Sequence, residues 1–210
     1  MKPRDNPFRA ARISTLRYRF SGEVSWPMLF HRLQGLGFRG ALVGPEGSGK
    51  TTLLEEIQRR LNAAGFKTRL LSAVPGRANQ TLAGLSCKDV FLLIDSAERL
   101  NWFEWQRLRW SARNSAGLVV TLHSPGLLPT LFECRTTPEL LRLLVSQLLP
   151  PARENEVKSE DLTALFRKHQ GNVRSALREL YDTFSAREAL KPSCYRDVQL
   201  PVAVGSNHES

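Results

Sequence analysis

The stretch Gly44-Pro45-Glu46-Gly47-Ser48-Gly49-Lys50-Thr51 carries the most specific chemistry in this 210-residue chain. It fits G-x-x-x-x-G-K-[ST], the Walker A phosphate-binding loop. Its glycines permit a sharp turn that brings backbone N–H groups close to a polyphosphate, and the positive end of a following helix completes the anion nest. The predicted nucleotide-binding set is Gly44, Pro45, Glu46, Gly47, Ser48, Gly49, Lys50, Thr51 and Thr52. Lys50 is placed to reach β- and γ-phosphates, with its amine expected in solvent when no phosphate is present. The Thr51 hydroxyl is a Mg²⁺ ligand. A second landmark lies about 45 residues beyond Lys50: Val90-Phe91-Leu92-Leu93-Ile94-Asp95, five apolar residues ending in a carboxylate. That is the Walker B pattern, in which a buried parallel strand presents an aspartate to Mg²⁺, often through water. Asp95 and Thr51 are the predicted metal ligands, and ATP and Mg²⁺ the predicted cofactors.

These residues need a strand–loop–helix setting, and the flanking pattern supplies one. Ala41-Leu42-Val43 ends a buried strand, and Thr51 to Leu61 is a helix with Leu53, Leu54, Ile57 and Leu61 on one face. A helix over Trp26 to Leu36 precedes the strand, starting after Ser25 with Pro27 in its first turn. Phe66 to Ala73 predicts a second strand, Leu118 to His123 a further buried one, and Leu131 to Cys134 a short last one. Asn101 caps a helix to Arg113 in which tryptophans alternate with arginines. The residues 102, 105, 106, 109 and 110 fall near one face, which predicts core or interface tryptophans; the competing reading is a surface for stacking nucleic acid. Thr137-Pro138 opens a helix to about Leu149, Pro150-Pro151 marks a linker, and helices follow at Ser159 to His169 and Asn172 to Ser185. Residues 1–25 read as irregular, with Ile13, Leu16, Tyr18 and Phe20 in short extended pieces. A short helix is expected around Thr81 to Leu85, and a mobile tail beyond Arg187.

Composition sets limits on function. An apolar share of 41% supports a sizeable core, and no apolar run approaches the ~20 residues of a membrane span. The three cysteines, Cys87, Cys134 and Cys194, are scattered and lack metal or disulfide spacing, which fits reduced thiols in a cytoplasmic protein. The net charge is +10. Residues 1–39 hold Lys2, Arg4, Arg9, Arg12, Arg17, Arg19, Arg32 and Arg39 against Asp5 and Glu23, a local net of +6. Such a segment suits DNA phosphates or an acidic protein surface.

Over about residues 6–186 the chain resembles the AAA+ branch of P-loop ATPases, in particular bacterial transposition, secretion and initiator-like ATPase modules. The resemblance rests on Asn6-Pro7-Phe8, both Walker motifs, the strand ending at Thr121, and Gly171-Asn172-Val173-Arg174. It implies a P-loop NTPase fold: a three-layer α/β/α core with a mostly parallel sheet, followed by a small C-terminal helical lid. The implied divisions are a basic N-terminal segment with the first helix (1–37), the nucleotide-binding core (38–136), the lid (137–186) and a tail (187–210). It further implies that Arg174 is the sensor 2 arginine reporting the γ-phosphate to the lid. Thr121, or His123, would be the sensor 1 polar residue on the opposite side. A homo-oligomer is a further implication.

Two departures stand out. Ser96 occupies the place where the family carries a glutamate that polarises the attacking water, and the next acid is Glu98. Glu98 reaches such a water only if the chain turns helically after Asp95. Arg109 and Arg113 lie near the usual place of an arginine finger without identifying one. The predicted catalytic set is Lys50, Asp95, Glu98, Thr121 and Arg174. The leading reading is a nucleotide-dependent switch with slow or partner-stimulated hydrolysis. The alternatives are an active DNA- or protein-remodelling ATPase ring and a small-molecule kinase, the latter disfavoured by the helical C-terminal pair and the absence of an Arg-rich substrate lid.

Overall fold

The computed structural model describes residues 6–20, 24–74 and 88–189. Its centre is a five-stranded sheet of β1 (Arg39–Val43), β2 (Lys67–Ser72), β3 (Val90–Asp95), β4 (Gly117–Leu122) and β5 (Thr130–Glu133). The spatial order is β2-β3-β4-β1-β5, and every neighbouring pair is parallel. The three inner strands are near-continuous apolar runs because both of their faces are covered; all six residues of β4 are buried. The edge strands β2 and β5 are mixed in burial.

Side chains alternate across the sheet and so define its two faces. Ala41, Val43, Leu92, Ile94, Leu118 and Val120 point to one face, where α4 (Trp102–Ser111) supplies Trp105 and Leu108. Leu42, Phe91, Leu93 and Val119 point to the other. There α3 (Lys50–Ala63) lays down Leu53, Leu54, Ile57 and Leu61, and α2 (Trp26–Gly35) adds Leu29 and Leu33. Helix starts follow capping chemistry: the Ser25, Asn101 and Thr137 side chains accept from the N–H groups of Met28, Glu104 and Leu140.

A third cluster joins α5 (Pro138–Leu148), α6 (Ser159–Lys168) and α7 (Val173–Ala189) around Leu141, Val145, Leu162, Ala176 and Leu177. The N-terminal segment contributes Phe8 to it, with the Phe8 ring edge-on to Phe184 at 5.0 Å. Asn6 fixes that contact by donating from Nδ2 to the Tyr181 carbonyl and to Ser185 Oγ, each at 2.9 Å.

The sequence reading of residues 1–25 as irregular is corrected at α1 (Ala10–Ile13), a single helical turn too short for a periodic signal. The last helix runs four residues past Ser185, to Ala189. The expected helix at Thr81 to Leu85 and the tail from residue 190 lie outside the described residues. Several N-terminal arginines are engaged within the fold. Arg17 pairs with the buried Glu56 at 3.2 Å, Arg32 donates to the Thr130 carbonyl, and Arg39 donates to the carbonyls of Ala112 and Arg113. Among the described residues, no helix is long and apolar enough to cross a membrane.

Phe8 is 1% exposed inside a helical cluster far along the chain. Phe8→Ala is therefore expected to cost about 3–5 kcal/mol, read as a lower urea midpoint with an unchanged slope. A loss below ~1 kcal/mol would mean that the N-terminal segment is not part of this core.

Candidate nucleotide-binding site

The phosphate loop leaves β1 where two neighbouring strands grip it. Gly44 N–H donates to the Leu122 carbonyl of β4 at 3.1 Å, and Cys134 N–H donates to the Val43 carbonyl at 2.7 Å. No larger residue fits at Gly44, because a Cβ there would run into the Cys134 carbonyl. Gly47 (φ +73°) and Gly49 (φ +85°) take the left-handed conformation that glycine adopts without steric cost. Gly47 also lies against the Asn172 side chain, whose Oδ1 caps α7 by accepting from Ser175 N–H at 3.0 Å. The tip of the loop thus touches the first turn of the last helix.

Lys50 differs from expectation. Its side chain is 8% exposed, and its amine donates to the carbonyls of Gly44 (2.7 Å) and Pro45 (2.8 Å) instead of standing in solvent. Burial lowers its pKa, and the negative groups around it, Glu98 foremost, oppose that shift. The ammonium is thus held in a place where an arriving anion would favour its charged form. Sequence periodicity carries no sign of this, because the contact is made by the backbone of the loop itself.

Asp95 ends β3 between two threonine hydroxyls. Thr51 Oγ1 lies 3.1 and 3.2 Å from its two carboxylate oxygens, and Thr121 Oγ1 donates to Oδ1 at 2.7 Å. Thr121 Oγ1 also accepts the Ser96 N–H at 2.6 Å, which fixes Ser96 in a left-handed turn (φ +59°). Thr121 is fully buried behind Asp95 and does not line the cleft; His123, two residues on, does. Ser96 is followed by a 3₁₀ turn at Ala97–Arg99, the helical turn that Glu98 requires. Glu98 Oε1 lies 3.3 Å from His123 Nε2, and Oε2 is buried with no hydrogen-bond partner among the described residues.

Two cavities adjoin at the loop. The polar one, about 160 Å³, is lined by the loop, Lys50, Thr51, Asp95, Glu98, His123 and Arg174. The second, about 170 Å³, is mostly apolar and is walled by Ile13, Leu16, Tyr18, Leu140, Val173 and Leu177, with Thr52 at its edge. Gly47, Ser48, Gly49 and Arg174 line both. The apolar wall escapes sequence reasoning because its residues come from three distant parts of the chain; the only local hint is the apolar spacing of Ile13, Leu16 and Tyr18. Beneath it, the Tyr18 hydroxyl faces Cys134 Sγ at 3.9 Å, and burial pushes the Cys134 thiol up to about 11 and the Tyr18 phenol up as well.

The donor set at Asp95 suits a hard cation. Thr51 and Asp95 offer oxygen only, and the described residues contain no group of three or more His, Cys, Asp or Glu that would hold a metal alone. Mg²⁺ is commonly held in this way, by one or two protein oxygens together with substrate phosphates and water.

Thr121→Val keeps the volume and removes the hydroxyl, which leaves the Ser96 N–H unpaired and takes from Asp95 Oδ1 its shortest hydrogen bond, with Thr51 as the remaining partner. The expected loss is about 1–3 kcal/mol in urea unfolding, with Thr121→Ser restoring most of it. Equal stability of the valine variant would contradict the positioning role.

No protein-family model and no curated protein sequence matches the chain. Solved structures do resemble it. The Thermotoga maritima Holliday junction branch migration motor RuvB superposes with a TM-score of 0.51 at 18% identity, over 80% of this chain and 64% of that one. A variant of the same motor gives 0.52 at 20% identity over the same shares. Domain III of the Thermotoga maritima replication initiation protein DnaA gives 0.53 at 13% identity, over 80% of this chain and 85% of that one. The chain thus spans less than two thirds of the RuvB chain. At these identities the likeness is one of architecture: this chain shares with them a P-loop α/β fold built on a five-stranded parallel sheet.

Proposed function

We propose that this chain is a Mg·ATP-binding switch module with slow or partner-stimulated hydrolysis. The observation that carries the reading is the pair of cavities of opposite character meeting at Gly47, Ser48 and Gly49. A nucleotide has the same two halves, a polyanionic chain and a flat apolar base. In this reading the phosphates lie along the loop N–H groups with Lys50, and the base lies against Tyr18, Leu140 and Leu177. Thr51 and Asp95 hold Mg²⁺, which when bound offsets phosphate charge. Thr121 acts as a positioning residue through Asp95. Arg174, at the start of α7 and on the rim of both cavities, carries the state of the γ-phosphate to the helical cluster. The contact of Gly47 with Asn172 gives that signal a second route.

Hydrolysis turns on which carboxylate orients water. Ser96 has no acid to offer, whereas the buried, unpartnered oxygen of Glu98 belongs to a side chain lining the cleft. Its reach from the 3₁₀ turn favours Glu98 as the working carboxylate, and its proximity to His123 favours slow turnover by the isolated chain. The basic N-terminal segment is the candidate surface for DNA or an acidic protein, and a homo-oligomer in the cytoplasm fits the same reading.

Mg·ATP at 100-fold excess over its Kd is expected to stabilise the protein by about 2.7 kcal/mol, and Lys50→Ala to remove that gain. An equal gain in the variant would overturn the assignment. For turnover, Glu98→Gln is expected to lower the single-turnover rate at least ~10-fold while leaving the ATP-induced stabilisation intact. An unchanged rate in Glu98→Gln, together with a higher one in Ser96→Glu, would instead place the missing function at Ser96.

A further inference from the structure

Helix α4 lies on the sheet by Trp105 and Leu108 alone, yet three more of its residues are large aromatics. Trp102, Phe103 and Trp110 are 65%, 77% and 68% exposed. The Trp102 and Phe103 rings meet edge-to-face at 5.0 Å, and the Arg113 guanidinium lies 3.9 Å above the Trp110 ring. Arg107 and Arg109 are exposed on the same helix. Phe103, Arg107 and Trp110 form one stripe at i, i+4 and i+7, with Trp102, Arg109 and Arg113 forming the next.

The chemistry of this face is narrow. Its exposed apolar groups are all flat rings, without an aliphatic side chain among them. Its one acid, Glu104, folds back to the Asn101 N–H at 3.0 Å in the helix-capping box. No carboxylate among the described residues pairs with Arg107, Arg109 or Arg113. None of the cavities described beside the loop or in the helical cluster is lined by residues of this face. A partner that matches this face brings flat groups that stack on the rings and negative charges that meet the guanidinium groups. From these observations we infer that the Trp102–Arg113 face binds single-stranded nucleic acid, bases on the rings and phosphates on the arginines, without sequence readout. Phe103 and Trp110 lie about 10 Å apart along the axis, far enough for each ring to stack on its own base. The inference does not depend on the nucleotide site, although only residues 96–100 separate Asp95 from the helix cap Asn101.

The test is fluorescence anisotropy of a labelled dT20 strand with the full chain, without ATP, across a salt series. Three proteins are compared: the unchanged chain, Trp102→Ala/Phe103→Ala/Trp110→Ala, and Arg107→Gln/Arg109→Gln/Arg113→Gln. All substituted side chains are exposed, and thermal unfolding verifies that each variant folds. The aromatic variant is expected to bind at least ~10-fold more weakly with an unchanged salt slope. The arginine variant is expected to lower the magnitude of that slope by about two units. Equal binding by the aromatic variant would overturn the inference, as would no binding of dT20 by the unchanged chain. Tighter binding of a 20-base-pair duplex, or displacement of dT20 by an equimolar Asp/Glu-rich peptide, would also overturn it and assign the face to duplex DNA or to an acidic protein.

Discussion

Two threonine hydroxyls, one from α3 and one from β4, close on the single carboxylate at the end of β3, and the cleft takes its shape from that junction. Thr121 has no contact with solvent. Its oxygen must therefore find partners within the protein, and it finds two: the Asp95 carboxylate and the Ser96 N–H. Accepting from Ser96 holds that residue left-handed and starts the 3₁₀ turn that brings Glu98 round to the cleft. Donating to Asp95 Oδ1 holds one carboxylate oxygen, while Thr51 at the head of the loop helix lies within reach of both. Thr121, the position that the family resemblance marks for sensing nucleotide, links β4 to the end of β3 through these two hydrogen bonds.

The loop itself is closed upon its own lysine. With the Lys50 amine on the Gly44 and Pro45 carbonyls, the positive charge sits on loop backbone instead of in water. A phosphate that draws the amine away exchanges neutral acceptors for a charged one, the stronger class of hydrogen bond. The same loop touches Asn172, the cap of α7, so a change in loop conformation reaches the helical cluster without a long relay. That cluster also contains Phe8, and the adjoining apolar wall contains Ile13 and Leu16. The N-terminal segment is thus packed into the same helical unit that meets the loop.

Much of this was legible in the chain. The phosphate loop, the apolar run into Asp95, and the caps at Ser25, Asn101 and Thr137 are local signals, and local signals survive folding when they agree with burial. What escaped depends on distance or on narrow geometry. Helix α4 illustrates the second case. Its tryptophans recur near one face, which predicts several of them in the core, but the sheet receives only the i, i+3 pair Trp105 and Leu108, and the others stay outside. Tyr18 illustrates the first: nothing near it in sequence places it over Gly49 and Cys134, 31 and 116 residues away. Lys50 illustrates a third case: the partners of its amine are the carbonyls of Gly44 and Pro45, which leave no mark in the pattern of side chains.

Whether one ligand spans both cavities is read by calorimetric titration of the full chain with ATP, inorganic tripolyphosphate and adenosine, each with Mg²⁺. ATP is expected to bind at least ~10-fold tighter than tripolyphosphate, a gap of about 1.4 kcal/mol supplied by the base, and adenosine alone to bind weakly. Leu177→Asp, which places a charge in the apolar wall, should bring ATP down to the affinity of tripolyphosphate. Equal affinities for ATP and tripolyphosphate in the unchanged chain, or no binding of either, would contradict a ligand spanning both cavities.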